Sequence, residues 1–425
     1  MTAVLPPTGG PDLDPYAAAR AAVGADPGDS TVEMVQIGEN TMELNMGPQH
    51  PSTHGVLRLV LDIDGEIIRE CRPDIGFLHT GFEKSFESHT YQQCIPLTDR
   101  MDYLAPPMNN LAFALAVEKL LGCEVPLRGQ YIRVIMAELA RIGSHLIWFG
   151  TSGIDMGATT PFLYAWRERE KILDVNELVS GVRMMTSFIR VGGLMADVPE
   201  DFHRMVNEII ETFPHFIDDY ELLLTKNPIW VQRTRGVGAI SAEDALAYGM
   251  SGPILRGSGV PYDLRKAQPY SSYDHFDFDI PIGRNGDVYD RYLVRMQEMR
   301  ESLRIIKQAF DRLPGGPVNT LDRKIALPPR NEINTSMESL IHHFKLVTEG
   351  FRPPAGQVYH AVESPRGELG IYIASTGQNM PWRCKVRAPS FSNLAGLPHM
   401  VRDTLISDTV AIIGSIDIVL GDVDR

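Results

Sequence analysis

The chain has 425 residues and a formal net charge of −14, with 44% hydrophobic and 22% charged residues. A chain of this length is expected to fold as two or three packed units, and its acidic balance argues against nucleic-acid binding, which needs a basic surface. The four cysteines, Cys71, Cys94, Cys123 and Cys384, form no C-x-x-C pair. That spacing excludes a local zinc knuckle or iron–sulfur motif and indicates no disulfide framework.

Residues 1–30 are predicted to form a flexible N-terminal tail. The segment has one basic residue, Arg20, together with several prolines and aspartates, a composition that fits neither a signal peptide nor a transit peptide. No later stretch approaches the roughly 20 uncharged apolar residues that a membrane-spanning helix requires. The scattered cysteines are compatible with a reducing cytoplasm.

Hydrophobic periodicity divides the rest of the chain into three predicted units: a β-rich unit at 31–104, a helical bundle at 105–320 and a C-terminal α/β region at 321–425. Strands are predicted, in chain order, at 41–46, 56–63, 357–363 and 370–374. Helices are predicted at 106–122, 128–150, 161–190, from 199 onward, and at 286–312. The sequence therefore predicts an α+β fold, with a central helical bundle and small β-sheets at both ends.

The loop between the first two predicted strands carries two histidines, His50 and His54, in the run Gly47–Gly55. Pro51 lies between them and disfavours a helix, so the pair cannot form a helical H-x-x-x-H zinc site. A stiff loop would thus hold two groups that titrate near neutral pH. From these residues alone, two ordinary loop histidines explain the pattern equally well.

Three further segments contain candidate functional residues. Leu78–Lys84, with His79, is predicted as a capped turn that leads into a helix. Arg100 and Tyr103 precede the first predicted helix, where a core-edge tyrosine is the ordinary interpretation. Asp155 lies in a glycine-flanked segment after a predicted helix end, where a loop aspartate is the default.

Taken together and in order, these motifs resemble the hydrogenase-like large subunit (the D-type subunit) of respiratory complex I, the proton-translocating NADH:quinone oxidoreductase. The resemblance runs from Gly47 to Arg425 and includes Ser364-Pro365-Arg366-Gly367-Glu368 and the final Gly421–Arg425. It implies a fold like that of nickel–iron hydrogenase large subunits. Those proteins hold their metal through two C-x-x-C pairs, which this chain lacks, so a thiolate-held metal centre is excluded and no metal ligand is expected.

The resemblance implies an enzyme subunit that is active only in the assembled complex and forms a quinone cavity with the small, cluster-bearing B-type subunit. His54 and Tyr103 would contact the quinone head group, Asp155 would hold His54, and His50 would line the same pocket. Arg100 and His79 would lie toward the [4Fe–4S] cluster, which the small iron–sulfur subunit holds; no cofactor is expected to be bound covalently. Further expected partners are the C-type and I-type subunits and the membrane-arm subunits of types A and H, with peripheral attachment to the cytoplasmic side of the bacterial plasma membrane.

The chemistry of quinone reduction suits these residue types. Two electrons and two protons are added, and negative charge develops on oxygens at opposite ends of the ring. A tyrosine hydroxyl and a histidine N–H can each stabilise one oxygen. A neighbouring carboxylate would favour the protonated imidazole, so His54, with an ordinary pKa of ~6.5, is expected to be the better proton donor than Tyr103 at ~10.

Two departures from the family pattern affect the partner's cluster. Many relatives have an arginine at the position of Thr80, so that arginine's role cannot be transferred. Relatives also often have a histidine in the stretch that corresponds to Arg183–Ser187, where this chain has none. We therefore predict a cluster potential that is low and depends weakly on pH, as would suit menaquinone.

Two other functions remain open from the sequence. The chain could be a non-catalytic assembly scaffold of the same complex, with structural histidines. It could also be the equivalent subunit of a ferredoxin-driven or formate-linked relative, because the module that supplies electrons lies on other chains.

Overall fold

The N-terminal sheet that carries the histidine loop is a simple antiparallel meander. In the computed structural model, which describes residues 32–36 and 41–425, strands β1 to β4 pair in sequence order. They span Val32–Gln36, Thr41–Met46, Arg58–Asp64 and Ile67–Asp74. Alternate residues of β3 are buried, the period-2 pattern that predicted the strand. The tail predicted at 1–30 lies outside the described residues.

The middle of the chain is helical, as predicted. Helices α1 to α6 span Phe82–Phe86, Tyr91–Thr98, Pro106–Leu121, Leu127–Asp155, Thr159–Ser180 and Asp201–Leu224. Helices α7 to α13 span Pro228–Thr234, Ala242–Ala247, Pro253–Gly257, Leu264–Ala267, Val288–Asp311, Arg330–Ile333 and Met337–Thr348. The two prolines at the start of α3 occupy positions whose backbone N–H groups would have no partner within the helix. Helix α4 is buried along most of its length.

One predicted helix is too long. The helix expected at 161–190 ends at Ser180, because Gly181 adopts a left-handed conformation with φ of +77°. The residues that follow form the short strands β5 (Ile189–Arg190) and β6 (Gly193–Leu194), which pair with each other. Residues 182–190 therefore contribute to a loop and to a small hairpin.

A second antiparallel sheet and a group of short helices complete the chain. Strands β7 (Gly356–Ser364), β8 (Gly367–Ser375) and β9 (Arg383–Arg387) pair in order, and β9 was not predicted. Helices α14 to α17 span Pro389–Leu394, Leu397–Val401, Ile406–Ile416 and Leu420–Asp424. The α+β architecture is thus confirmed, with a helical bundle between two small sheets.

Two hydrophobic clusters hold these elements together. The larger one joins α3 to α6 and α11 with the C-terminal sheet. The second joins β2 to β4 with α9, α16 and α17, so the beginning of the described chain packs on its end. This packing brings the histidine loop next to α16. The unit boundaries at 104/105 and 320/321 remain a prediction. No helix in the described ranges is long and apolar enough to span a membrane.

Candidate functional site

The histidine loop between β2 and β3 is held in one conformation by its own backbone and side chains. Residues Pro51–Thr53 form a single 3-10 turn, and the His50 Nδ1 atom accepts a hydrogen bond from the Ser52 backbone N–H at 3.2 Å. The Thr53 hydroxyl donates to the His50 carbonyl at 3.0 Å. A Cβ at Gly47 would stand 2.2 Å from the Leu57 carbonyl oxygen, so only glycine fits there.

His54 closes the 3-10 turn in a left-handed conformation, with φ of +54°. The residue is exposed to solvent, yet burial and then the positive charge of Arg366 lower the pKa of its imidazole from 6.5 to about 4. Its imidazole is therefore neutral at neutral pH.

Tyr103 lies in the turn between α2 and α3 and is half-buried. Among the described residues no group is hydrogen-bonded to its hydroxyl, which leaves that O–H available to a ligand. Burial raises the pKa of the phenol, with a partly opposing effect from the Arg366 charge. The hydroxyl is therefore neutral and can act as a hydrogen-bond donor.

The Tyr103 side chain also forms part of the wall of a cavity between α3, α4 and α5. The cavity is small, with a volume of about 20 Å³, room for about one water molecule, and it is partly open to solvent. Its walls are mainly apolar, and the lining residues include Leu104, Pro107, Ile172 and Met184. None of the described residues that line this cavity is a histidine.

A buried arginine connects the Tyr103 turn to the C-terminal helices. The Arg366 Nη1 donates to Asp102 Oδ2 at 2.8 Å and to the Ser144 hydroxyl at 3.0 Å. Its Nε donates to the Asp417 carbonyl at 2.8 Å, and its Nη2 lies 3.3 Å from Asp417 Oδ1. The guanidinium has no solvent exposure, and all three of its nitrogens have partners.

The charge of Arg366 acts on both quinone-contact candidates. Desolvation is the largest cause of the pKa shift at both residues, and the Arg366 charge is the second. The charge lowers the pKa of His54 further, and it partly offsets the rise in the pKa of Tyr103. Both side chains therefore lie within electrostatic range of the same guanidinium. Arg366 belongs to the Ser364–Glu368 run, for which the sequence predicted no role in the site.

Asp155 is the last residue of α4, so its prediction as a loop residue is wrong. Burial raises the pKa of its carboxyl to about 6. Within the described part of the chain no hydrogen bond joins it to His54, so the expected carboxylate–imidazole contact is not formed in this structure. Both groups are nevertheless neighbours of α16: a Cβ at Gly414 would lie 3.7 Å from Asp155 Oδ2, and the 3-10 turn packs on the same helix.

The other three candidates have local structural contacts. His50 caps the 3-10 turn through its ring nitrogen. His79 Nδ1 donates to the Asp424 carbonyl at 2.7 Å, while the Asp424 carboxylate accepts from the Gly76 and Leu78 backbone N–H groups. Arg100 is exposed, and its Nη1 donates to the Pro96 carbonyl at 2.6 Å. Among the described residues, no carboxylate holds the Arg100 guanidinium.

The arrangement offers hydrogen-bond donors rather than ligands for a metal. Across residues 32–36 and 41–425, no group of three or more histidine, cysteine, aspartate or glutamate side chains could hold a metal ion. Two neutral donors, His54 and Tyr103, near a fixed cation could bind a small ligand with acceptor oxygens and stabilise negative charge on it.

The chain is similar to known proteins over nearly its whole length. A family model described as the 49 Kd subunit of respiratory-chain NADH dehydrogenase matches residues 155–425. The chain is 58% identical over 388 residues to a D-type subunit (number 2) of NADH-quinone oxidoreductase from Chloroflexus aurantiacus, covering 91% of this chain and 94% of that protein. It is 57% identical over 384 residues to the D-type subunit of NADH-quinone oxidoreductase from Geotalea uraniireducens, covering 90% of this chain and 98% of that protein.

Proposed function

Since the chain belongs to the family of 49 kDa subunits of respiratory-chain NADH dehydrogenase, we propose that its histidine loop and Tyr103 turn form the head-group site for quinone. The family and the enzyme class predicted from the sequence are confirmed: the chain is an oxidoreductase subunit of complex I. The observation that supports the site assignment is that two neutral donors, His54 and Tyr103, both lie within electrostatic range of the buried Arg366 guanidinium.

In this proposal each donor binds one oxygen of the quinone ring. The Tyr103 hydroxyl donates to one carbonyl oxygen and the His54 N–H to the opposite one, and both hydrogen bonds strengthen as electrons arrive and the oxygens become negative. Because Tyr103 has an elevated pKa, it serves mainly as a fixed donor. Hydrogen bonds within the loop fix the backbone that carries His54 before the substrate binds.

The lowered pKa of His54 refines its role in proton transfer. With a pKa of about 4, the resting imidazole carries no extra proton at neutral pH, contrary to the expectation that a carboxylate favours its protonated form. Negative charge on a reduced quinone would raise that pKa, since an opposite charge favours the charged imidazole. Uptake of a proton at His54 would then follow the arrival of electrons, which links the two events.

The electron donor and the membrane contacts belong to partner subunits in this proposal. A [4Fe–4S] cluster on the small B-type subunit would reduce the quinone, and the subunits of types A, H, C and I would surround this chain on the cytoplasmic side of the membrane. Arg100 supports the cluster-side assignment, because its exposed guanidinium has only a backbone carbonyl as a partner among the described residues. We propose menaquinone as the substrate, given the absence of an imidazole at 183–187.

The test is quinone reduction by the assembled complex that carries His54→Ala or Tyr103→Phe. Each variant should lower NADH-driven quinone reduction by roughly a hundredfold, the typical loss when one fixed donor is removed. Oxidation of NADH with ferricyanide as acceptor should be unchanged. His215→Ala and Tyr248→Phe are matched controls, since both residues are exposed and lie on other elements. Full quinone-reductase activity in both site variants would refute the assignment, and the chain would then act as a scaffold.

A further inference from the structure

Arg366 is fixed in the fold at both its backbone and its guanidinium. It occupies the two-residue turn between β7 and β8, which the Ser364–Gly367 pair closes. Its carbonyl accepts a hydrogen bond from Asn393 Nδ2 at 3.0 Å, and a Cβ at Gly252 would stand 2.6 Å from that same oxygen. Backbone and guanidinium are therefore both fixed, so the charge cannot move away when the charge of a neighbour changes.

The partners of Arg366 are attached to the two elements that carry the proposed donors. Asp102 directly precedes Tyr103 in the chain, and it receives the Arg366 Nη1 bond at 2.8 Å. Asp417 follows the last residue of α16 in a left-handed conformation, and the 3-10 turn before His54 packs on that helix. The guanidinium thus bridges the Tyr103 turn and the helix that supports the His54 loop.

The charges around this guanidinium come from four other parts of the fold. The groups that interact with it electrostatically are Asp102 and Tyr103 from the turn, Asp417 and Asp422 from the C-terminal end, Arg295 from α11, and His54. Burial raises the pKa of both Asp417 and Asp422 to about 6. Both carboxyl groups are therefore ionised at neutral pH, and the negative charge that opposes Arg366 decreases only as the pH falls below about 6.

We propose that Arg366 is a positioning residue of quinone reduction: its fixed guanidinium joins the Tyr103 turn to the helix that supports the His54 loop, and its charge stabilises the negative charge that develops on the quinone oxygens. This inference rests on the proposed function of His54 and Tyr103. A guanidinium fixed beforehand stabilises a developing charge without reorganising, and it does so most strongly in a desolvated crevice. The loss of this charge therefore affects the rate of reduction more than the affinity for quinone.

The test compares Arg366→Gln with Arg366→Lys in the assembled complex. Arg366→Gln should lower kcat for quinone reduction roughly ten- to a hundredfold with a smaller change in KM, and Arg366→Lys, which keeps the charge, should retain more activity. Arg128→Gln is the matched control, because Arg128 lies at the start of α4, the opposite end from Asp155. The 29 residues of that helix separate the two ends by roughly 40 Å.

The pH profile separates an electrostatic role from a structural one. In Arg366→Gln the pKa of His54 should rise from about 4 part of the way toward its ordinary value of ~6.5, because desolvation remains while the cation is lost. The inflection that His54 causes in the plot of kcat against pH should therefore move to higher pH in Arg366→Gln. It should be absent from the double variant that combines Arg366→Gln with His54→Ala. An Arg366→Gln profile with the wild-type shape would overturn the proposal.

Asp417→Asn tests the same idea if Arg366→Gln fails to assemble. This variant removes a negative charge that faces the guanidinium while keeping the cation. The pKa of Asp417 is about 6, so its carboxyl is neutral at pH 5 and charged at pH 8. The ratio of the kcat of Asp417→Asn to the wild-type kcat should therefore be close to one at pH 5 and above one at pH 8. A ratio that falls with increasing pH would contradict the inference. Loss of activity in His54→Ala and Tyr103→Phe together with that falling ratio would leave the proposed function intact and refute only the role of Arg366.

Discussion

Gly421→Ala would push a methyl group into the turn that positions Tyr103. The added Cβ would stand 2.6 Å from the Met101 carbonyl oxygen, 3.2 Å from the Arg100 carbonyl oxygen and 3.4 Å from Tyr103 Cε1. Ordinary van der Waals contact begins near 3.4 Å, so the nearest contact is too short by 0.8 Å (3.4 − 2.6). The two closest atoms belong to the backbone and cannot rotate away, so the turn itself must move.

The displacement should reduce both stability and activity. Overpacking of this kind costs about 1–3 kcal/mol, and a shift approaching ~1 Å at a reacting group can cost about a hundredfold in rate. We therefore expect Gly421→Ala to lower the unfolding temperature of the chain in the complex and to reduce quinone reduction by more than about tenfold, while ferricyanide reduction is unchanged.

Gly414→Ala is the matched control for this prediction. Its Cβ would lie 3.6 Å from Ser152 Oγ and 3.7 Å from Asp155 Oδ2, which is ordinary contact, and alanine favours a helix interior by up to about 1 kcal/mol over glycine. The control should keep its activity and its stability. Normal activity of Gly421→Ala, or an equal loss in both variants, would refute the reasoning that the Gly421 contact positions Tyr103.

Buried or missing charges support three further predictions. Glu118→Gln should lower the free energy of unfolding, measured by urea titration, by about 3–5 kcal/mol, because it leaves Arg133 buried without a counter-charge. The control Glu170→Gln, which breaks an exposed ion pair, should change that free energy little. Burial raises the pKa of Asp422 from 3.8 to about 6, so between these values the folded chain holds a proton that the unfolded chain releases. The free energy of unfolding should therefore fall by about 3 kcal/mol as the pH rises from about 4 to about 6. Asp422→Asn should lack this part of the pH dependence, and an unchanged slope of the unfolding free energy against pH would contradict the prediction. The potential of the partner's cluster, measured by redox titration from about pH 6 to 8, should change little with pH, and a fall of about 59 mV per unit would disprove the prediction.

Local pattern predicted most of the regular structure. The strands on both sides of the histidine loop follow from alternation of apolar residues, and α3 and α11 were predicted to within two residues of their observed ends. The failures also have local causes: Gly181 ends α5 earlier than the apolar pattern indicated, and α4 continues through Gly153 to Asp155, because a helix packed on both sides tolerates a glycine near its end.

The electrostatics of the site could not be predicted from the sequence in the same way. Arg366 is paired with Asp102, which lies 264 residues earlier, and with Asp417, which lies 51 residues later. No short spacing reveals such pairs, because they form only when the C-terminal helices pack against the Tyr103 turn. For the same reason the predicted direction of the His54 pKa was wrong, since desolvation and a cation distant in the chain decide it.

The most direct test of the quinone site is cross-linking with a photoreactive quinone in the assembled complex, followed by peptide mapping. The proposed site predicts label within residues 47–57 or 100–105, with competition by unlabelled quinone and reduced labelling in Tyr103→Phe. Label confined to other segments of this chain, or to other subunits alone, would contradict the claim that His54 and Tyr103 bind the head group.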